Sequence, residues 1–511
     1  MAGSLIVLLV VQSLFAKTYG GASTDYADYP GTIIQTTDGG YAVAGYTRSF
    51  DEDDGDFFVL TMTPDGILAW ARGFGGTTKN DRAYSIVQAA DGGYAVVGRT
   101  QSFGAGLDDF LVLRLTPGGA ISWDRVIGGP GYDYGYSVVQ AADGGYVIAG
   151  ATSSFGAGAY DCLVLGLATD GSLARARTFG GTSDDGAWSM IRTADGGYAV
   201  AGYTNSFGAG SSDLLVLKLS SDGGLQWAKT FGGTGPEFAY SIVQATDGGF
   251  AVAGFTSSFG AGGWDFLVIK LDPDGSLQWA RTFGGANWDY GYSVAQTTDG
   301  GYAVAGATLS FGAGQYDCLV IKLAPDGSQQ WARTFGETGN DEGHSISRTT
   351  DGGCVVAGYT SSFGAGGSDV LVLRLSSDGN YTDCVETCFP TTTTPALSTF
   401  SPSVGADCSP SVSSPSITVS TPVPVVADAC LPLYVEEEET LPPGDGAVIT
   451  PSPVPGGVLF TSLEELPMRI YTVDGRLAWS GQLAKGENRV SLGRGIYLWQ
   501  AGSYLGKAVV R

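Results

Sequence analysis

The chain alternates short apolar runs with glycine-rich turns, and the alternation recurs along most of its length. One full period is "YSIVQATDGGFAVAGFTSSFGAGGWDFLVIKLDPDGSLQWARTFGG", residues 240–285. Within it "YSIVQA", "FAVAGFT", "DFLVIKL" and "LQWARTF" are alternating or continuously apolar and rich in β-branched and aromatic side chains. That pattern predicts four strands and no helix. "DGG" after the first run supplies the positive φ of a tight hairpin, and "PDG" or "SDG" does the same between the third and fourth. "SFGAG" makes a longer loop between the second and third. Each period therefore reads as a four-stranded antiparallel meander.

The "DGG" turns begin at Asp38, Asp91, Asp143, Asp195, Asp247, Asp299 and Asp351, spaced by 53 residues once and then by 52 five times. Such regularity defines a repeat architecture. A single unit orders about 50 residues at roughly 1.5 kcal/mol each, more than its own burial offsets, so its faces need neighbours. Stacking seven such sheets radially predicts an all-β, seven-bladed β-propeller. The seventh unit runs to Gly379 without the fourth-strand phrase, while "LFAKTYGG", residues 14–21, carries that phrase ahead of the first unit. The N-terminal strand is thus expected to complete the seventh blade and remove an open edge. The propeller spans 14–379 in this reading.

Composition extends the picture. The 26 Lys and Arg against 51 Asp and Glu give a net charge of −25. That surface disfavours nucleic acid and anionic lipid and leaves sugars, cations and basic proteins as ligands. The apolar start of the chain, residues 1–13, is too short to span a bilayer and suits a signal peptide cleaved after Ser13; no other stretch suits a transmembrane segment. Residues 380–447 are rich in Ser, Thr and Pro and read as an extended linker. Cys384, Cys388, Cys408 and Cys430 fall in it and are candidates for two disulfides with three pairings open, whereas Cys162, Cys318 and Cys354 sit in apolar runs as buried thiols. Alternating strands resume over 448–511 and suggest a small β-sandwich.

Two resemblances add to this reading. "DGGY", "SFGAG", "PDG" and "WARTFGG" resemble the repeats of secreted bacterial and archaeal β-propellers, a group that implies the fold and no single activity. "ITPSPVPGGVLF", "MRIYTVDGRLAWSG" and "GENRVSLGRGIYLWQAGSYLGKAVVR" resemble a type A sorting domain of the type IX secretion system, with "PSP" where the family usually has Asn between prolines. The second resemblance implies the type IX machinery as a partner and a secreted or outer cell-surface location.

Residues that recur in every blade are first expected to build it. Asp56, Asp109, Asp161, Asp213, Asp265, Asp317 and Asp369 open each third strand, where a carboxylate accepts N–H groups of the loop before it. Trp70, Trp123, Trp227, Trp279 and Trp331 on the fourth strands are expected to pack. Asp81, Asp133, Asp185, Glu237, Asp289 and Asp341 lead into the first strands, and three residues on come Tyr84, Tyr136, Trp188, Tyr240, Tyr292 and His344, with Asp28 and Gly31 as the first copy. Aromatic rings beside carboxylates on one face of a ring suit a sugar or a cationic group. Blade packing and turn capping are the competing roles for the same residues.

One loop departs from the repeat: "SFDEDDGDFF" crowds Asp51, Asp53, Asp54 and Asp56, which makes calcium the candidate cofactor. With a single histidine and no nucleophile elbow, no catalytic constellation emerges. The expected function is a secreted or surface binding module for a glycan or protein. A polysaccharide hydrolase or lyase and a structural surface-layer protein are the alternatives.

Overall fold

The computed structural model describes residues 14–49, 55–76, 79–364 and 367–380 in full, and the backbone of short strands between 386 and 510. Residues 1–13 and 51–54 and the four linker cysteines lie outside the described residues.

Seven antiparallel sheets follow one another along the chain. Blade 2 is typical, with strands Asp81–Gln88, Tyr94–Thr100, Asp109–Leu115 and Ile121–Gly128 in that order from inside to outside. The sequence explains the layering. Third strands such as Asp213–Leu219, "DLLVLKL", are buried at every position, as a continuous apolar run requires. Fourth strands such as Leu225–Gly232, "LQWAKTFG", alternate exposed and half-buried residues before ending in a buried stretch, as an outer strand should. Among the described residues there is no helix, so none is long and apolar enough to cross a membrane.

Blades pack face to face through seven apolar clusters. At the junction of blades 1 and 2, Ala42, Ala44, Phe57, Val59 and Phe74 meet Tyr94, Val96, Leu111, Leu113 and Leu115. Two polar ladders run around the ring beside them. On the inner strands the hydroxyl of Ser137 accepts the Met190 N–H at 3.0 Å, that of Ser241 the Val294 N–H at 3.2 Å, and that of Ser293 the Ile346 N–H at 3.1 Å. On the outer strands the indole N–H of Trp70, Trp123, Trp279 and Trp331 donates to a turn carbonyl of the next blade at 3.0–3.3 Å. Each of those turns bears a glycine against the ring: a Cβ on Gly171 would lie 2.8 Å from Trp123.

The ring shuts at blade 7. Phe15–Gly20 pairs antiparallel with Asp369–Leu375 as its fourth strand, with Tyr19 opposite Val370. Ser345 accepts from the N–H groups of Gly31 and Ile33 at 3.1 and 3.3 Å, and Gln35 accepts from Thr350 N–H at 2.9 Å, so both ladder and turn contacts continue from blade 7 into blade 1.

The Ser, Thr and Pro-rich segment does more than space two units. Glu386–Thr387, Thr391–Thr393, Ser398–Phe400, Ala406–Asp407, Ser411–Ser413, Thr418–Ser420 and Val425–Asp428 add one outermost strand to blades 6, 5, 4, 3, 2, 1 and 7 in turn. The first compact unit accordingly extends to Leu431 and the second covers Pro432–Arg511. The second carries one antiparallel sheet of Thr450–Val454, Gly457–Ser462 and Gly486–Ser491. Its other sheet is Leu466–Thr472, Leu477–Leu483, Gly495–Ala501 and Tyr504–Val510.

Candidate functional site

The site grows from a local irregularity repeated in blades 2 to 7. In each, the first strand slips register by one residue against the second, between Ala83 and Ser85 in blade 2 and at the equivalent places through Gly343 and Ser345 in blade 7. The extra residue is Tyr84, Tyr136, Trp188, Tyr240, Tyr292 or His344. A bulge leaves its residue without a ladder partner and re-aims the side chain, here toward the centre of the ring. The second strand makes room with a glycine: a Cβ on Gly254 would lie 1.7 Å from the Phe238 carbonyl oxygen.

These side chains meet in two arcs. Tyr29, Tyr84 and Tyr136 pack with centroids 4.1–5.4 Å apart. Trp188, Tyr240, Tyr292 and His344 follow one another at 4.2, 5.5 and 4.3 Å, the last pair stacked at 11°. Burial pushes the Tyr84, Tyr136 and Tyr292 phenols well above their ordinary range, and burial together with the nearby Asp28 charge pushes Tyr29 up to about 12. These tyrosines are neutral at physiological pH.

A second tier lies two residues earlier on the first strands, at the ends of the second strands and just before the third strand of blade 5. Phe238, Phe255, Trp264 and Tyr290 form a continuous patch with neighbouring centroids 4.8–6.3 Å apart. Of the exposed large hydrophobic residues in the described part, Leu107, Tyr132 and Trp288 belong to loops at this end of the ring, and Trp288 is 50% exposed. Trp264 and Trp288 are bridged through their backbones.

Charge enters the tier in blades 7 and 2, and Asp184 beside Tyr203 brings an acid to blade 4. In blade 7, Glu342 Oε2 lies 3.1 Å from His344 Nε2, and Tyr359 OH donates to Oε1 at 2.7 Å. Burial alone would raise the Glu342 carboxyl, but His344, Tyr359 and Tyr292 hold it below the usual carboxylate range. In blade 2, Arg99 pairs with the buried Asp108 at 2.8 Å, and Arg82 lies 4.4 Å above the Tyr46 ring while pairing with Asp28 at 3.5 Å. The face is thus aromatic around most of its circuit and charged near blades 7, 1, 2 and 4.

The acids expected beside the aromatics lie elsewhere. Asp81, Asp133, Asp185, Glu237, Asp289 and Asp341 are fully buried and turned into the blades. Asp133 accepts from Gly129 N–H at 2.8 Å and from the hydroxyls of Thr152 and Ser154 at 2.5 and 2.7 Å, and the others follow the same plan. They tie the loop entering a blade to the loop between its second and third strands. In blade 1 this place is held by Asp25 rather than Asp28, and the aromatic place by Tyr29 rather than Gly31. Thirteen residues separate Asp25 from Asp38, against ten from Asp81 to Asp91, and the three extra residues carry Tyr29 into the channel. That interval was the signal for Tyr29. Glu342, Arg82 and Arg99 carry another, as charged exceptions at positions that are aromatic in several other blades.

The third-strand aspartates accept from the glycine-rich loops: Asp161 Oδ2 from Ala157 and Gly158 N–H at 3.0 Å, Asp213 from Gly210 at 3.1 Å. Asp56 is buried at the head of its strand; Asp51, Asp53 and Asp54 lie outside the described residues. Among the described residues no group of three or more metal-ligating side chains gathers.

These aspartates set a pH dependence. Burial pushes Asp109 up to about 6 and raises Asp161, Asp213 and Asp265 as well, each also feeling a neighbouring acid except Asp213. An acid raised on folding stabilises the fold fully below its unfolded pKa and loses that contribution as pH rises through the folded value. Asp195 and Asp299 are lowered to about 2, Asp195 chiefly by the hydrogen bond from Lys218 and Asp299 by bonds from Lys322 and Thr297 that outweigh burial; their contribution is lost as pH falls through that value. Thermal unfolding followed from pH 3 to pH 8 should show its highest midpoint on the acid side, with a decline through pH 6. A midpoint that rises steadily to pH 8 would contradict the assignment.

The fold and the repeated site define a β-propeller repeat protein. Residues 350–380 match the family described as "Domain of unknown function (DUF5122) beta-propeller". The regulatory protein FlaEY of Caulobacter vibrioides is 29% identical over 224 residues, which is 38% of this chain and 23% of that protein. Among solved structures, PorZ, a surface component of the type IX secretion system of Porphyromonas gingivalis, aligns over 95% of this chain and 60% of its own, at 11% identity and a TM-score of 0.40. An endo-1,5-α-L-arabinanase from Thermotoga petrophila aligns over 70% of this chain and 100% of its own, at 12% identity and a TM-score of 0.27. The chain thus spans less than two thirds of FlaEY and of PorZ, and the likeness to the solved structures is too distant to carry function.

Proposed function

We propose that the protein is a secreted or cell-surface binding module that holds a carbohydrate on the aromatic face of its propeller, exported by a type IX-like route through its C-terminal unit. The observation that carries the binding role is the bulge repeated in six blades, which spends backbone pairing to bring aromatic side chains together on one axis. Flat rings beside hydrogen-bonding groups such as Glu342, Arg99 and the tyrosine hydroxyls suit the apolar faces and hydroxyls of sugar rings. The export role rests on the sorting-domain resemblance of residues 448–511, on the signal-like start, and on a net charge of −25 that suits an extracellular surface.

A glycan array probed with the full chain, with and without calcium, tests this reading. Trp188→Ala and Trp288→Ala should each weaken the selected glycan about tenfold, the loss of roughly 1.4 kcal/mol expected when a stacking anchor is truncated. Binding without turnover supports the module. Reducing-end release abolished by Glu342→Gln would establish the hydrolase or lyase reading instead. Absence of any glycan binding, with ordered assembly on a surface, would establish the structural one.

A further inference from the structure

The strands of residues 386–428 lap the propeller once, and their sequence is cut to that task. The seven begin at 386, 391, 398, 406, 411, 418 and 425, so each step to the next blade uses five to eight residues. Every interval between two of them contains a proline: Pro390, Pro395, Pro402, Pro410, Pro415, and then Pro422 with Pro424. Proline lacks the N–H a ladder needs and ends a strand. The repeated Ser, Thr and Pro composition is therefore a series of two- to four-residue strands with a stop after each of the first six.

The register is equally specific. Each strand pairs antiparallel with the C-terminal end of a fourth strand: Thr391–Thr393 against Thr282–Gly284, Ser398–Phe400 against Thr230–Gly232, Thr418–Ser420 against Gly73–Gly75. Asp428 falls opposite Lys17 and Asp407 opposite Arg177. Within the fourth strands at least one basic residue per blade precedes or enters the covered part: Arg72, Arg125, Arg175 with Arg177, Lys229, Arg281, Arg333 and Lys17. Basic residues and short covering strands are two ways of blunting a sheet edge, and an edge left open is a template for pairing with another chain. Seven edges arranged in a ring multiply that hazard.

We propose that the seven short strands between 386 and 428 act together as a belt on the outer edges of the blades of the same molecule and keep the rim from pairing with the rim of a second copy. Its last strand, Val425–Asp428, pairs with Phe15–Gly20, the strand that closes the ring. A complete lap therefore requires a closed propeller, and an open one leaves both its seam and its rim available to other chains.

The test uses the full chain in which Thr392, Thr399, Val412, Val419 and Val426 are replaced together by proline, and a second full-length variant in which 386–428 become Gly-Ser of equal length. Hydrogen exchange of the outer-strand amides in 73–75, 126–128, 230–232 and 282–284 is read beside the native state's mass by light scattering. In the parent protein these amides should be protected and the mass monomeric. Either variant should exchange them at least tenfold faster, retain protection in third strands such as Asp213–Leu219, and gain mass as concentration rises. Unchanged outer-strand protection would show that the segment does not occupy the rim. Faster exchange with a strictly monomeric protein would show that it lies there without guarding it. A variant that loses third-strand protection as well would assign the segment to global stability and overturn the rim-guard role.

Discussion

Deleting residues 14–20 is expected to abolish cooperative unfolding of the propeller. The strand Phe15–Gly20 is the fourth strand of blade 7, and without it Asp369–Leu375, buried at every position, becomes an open edge. Phe15, Ala16 and Tyr19 are themselves buried, and Tyr19 OH donates to Gly66 O of blade 1 at 2.7 Å. The strand thus belongs to two sheet neighbours and one blade junction at once. Tyr19→Ala alone should cost about 3–5 kcal/mol, the usual range for emptying a large buried aromatic site, whereas Tyr19→Phe should cost about 1 kcal/mol for its hydrogen bond. Calorimetry of the three variants, with limited proteolysis across blade 7, checks the order. An unchanged midpoint in the deletion would mean that the ring is not held by its two ends.

Gly254→Ala should be among the most damaging single methyl groups in the described propeller and should remove binding along with stability. The added Cβ would stand 1.7 Å from the Phe238 carbonyl oxygen, which belongs to the backbone and cannot swing away. Relief requires the inner strand of blade 5 to move, and with it Phe238 and Tyr240, which sit in the aromatic face. A cost of about 3 kcal/mol or more is expected for overpacking against main chain. Gly248→Ala is the control. Its φ is +85°, and a Cβ there meets only Pro273 at 3.6 Å, so it should cost about 1 kcal/mol and leave glycan binding untouched. Denaturant titrations and binding of the same preparations separate the two. Equal losses of stability would show that the bulge tolerates a side chain.

The two glycines also show how far the chain could be read as a sequence. Gly248 belongs to "DGG", a turn signal with a local cause, and local signals of this kind delimited every blade. Gly254 sits in "FAVAGFT", where nothing along the chain distinguishes a strand glycine from one required by a neighbouring carbonyl. The same limit applied to the acids and aromatics of the inner strands. Asp133 and Tyr136 lie three residues apart with the bulge at Tyr136, and the structure turns the first into the blade while the second meets Tyr29 and Tyr84. Their recurrence was legible, but their separation depended on how each strand faces the next blade.

Blade 1 makes the point from the other side. Its three extra residues are visible as an interval, yet that they deliver Tyr29 onto Tyr84 and Tyr136 follows only when the inner strands converge on one axis. Glu342 and His344 are likewise neighbours in sequence, but the bond from Tyr359, which holds the carboxylate with them, comes from the second strand.

By itself the sequence determined the number of blades, the four strands in each and the turns between them, because period, alternation and turn chemistry are local properties repeated seven times. Only the tertiary structure decided which recurring residues face one another across the axis and where the Ser, Thr and Pro-rich segment goes. Those outcomes depend on distances between residues far apart in the chain. They are set by sheets stacking in a closed circle, where the inner strands converge and the outer edges are left for a strand to cover.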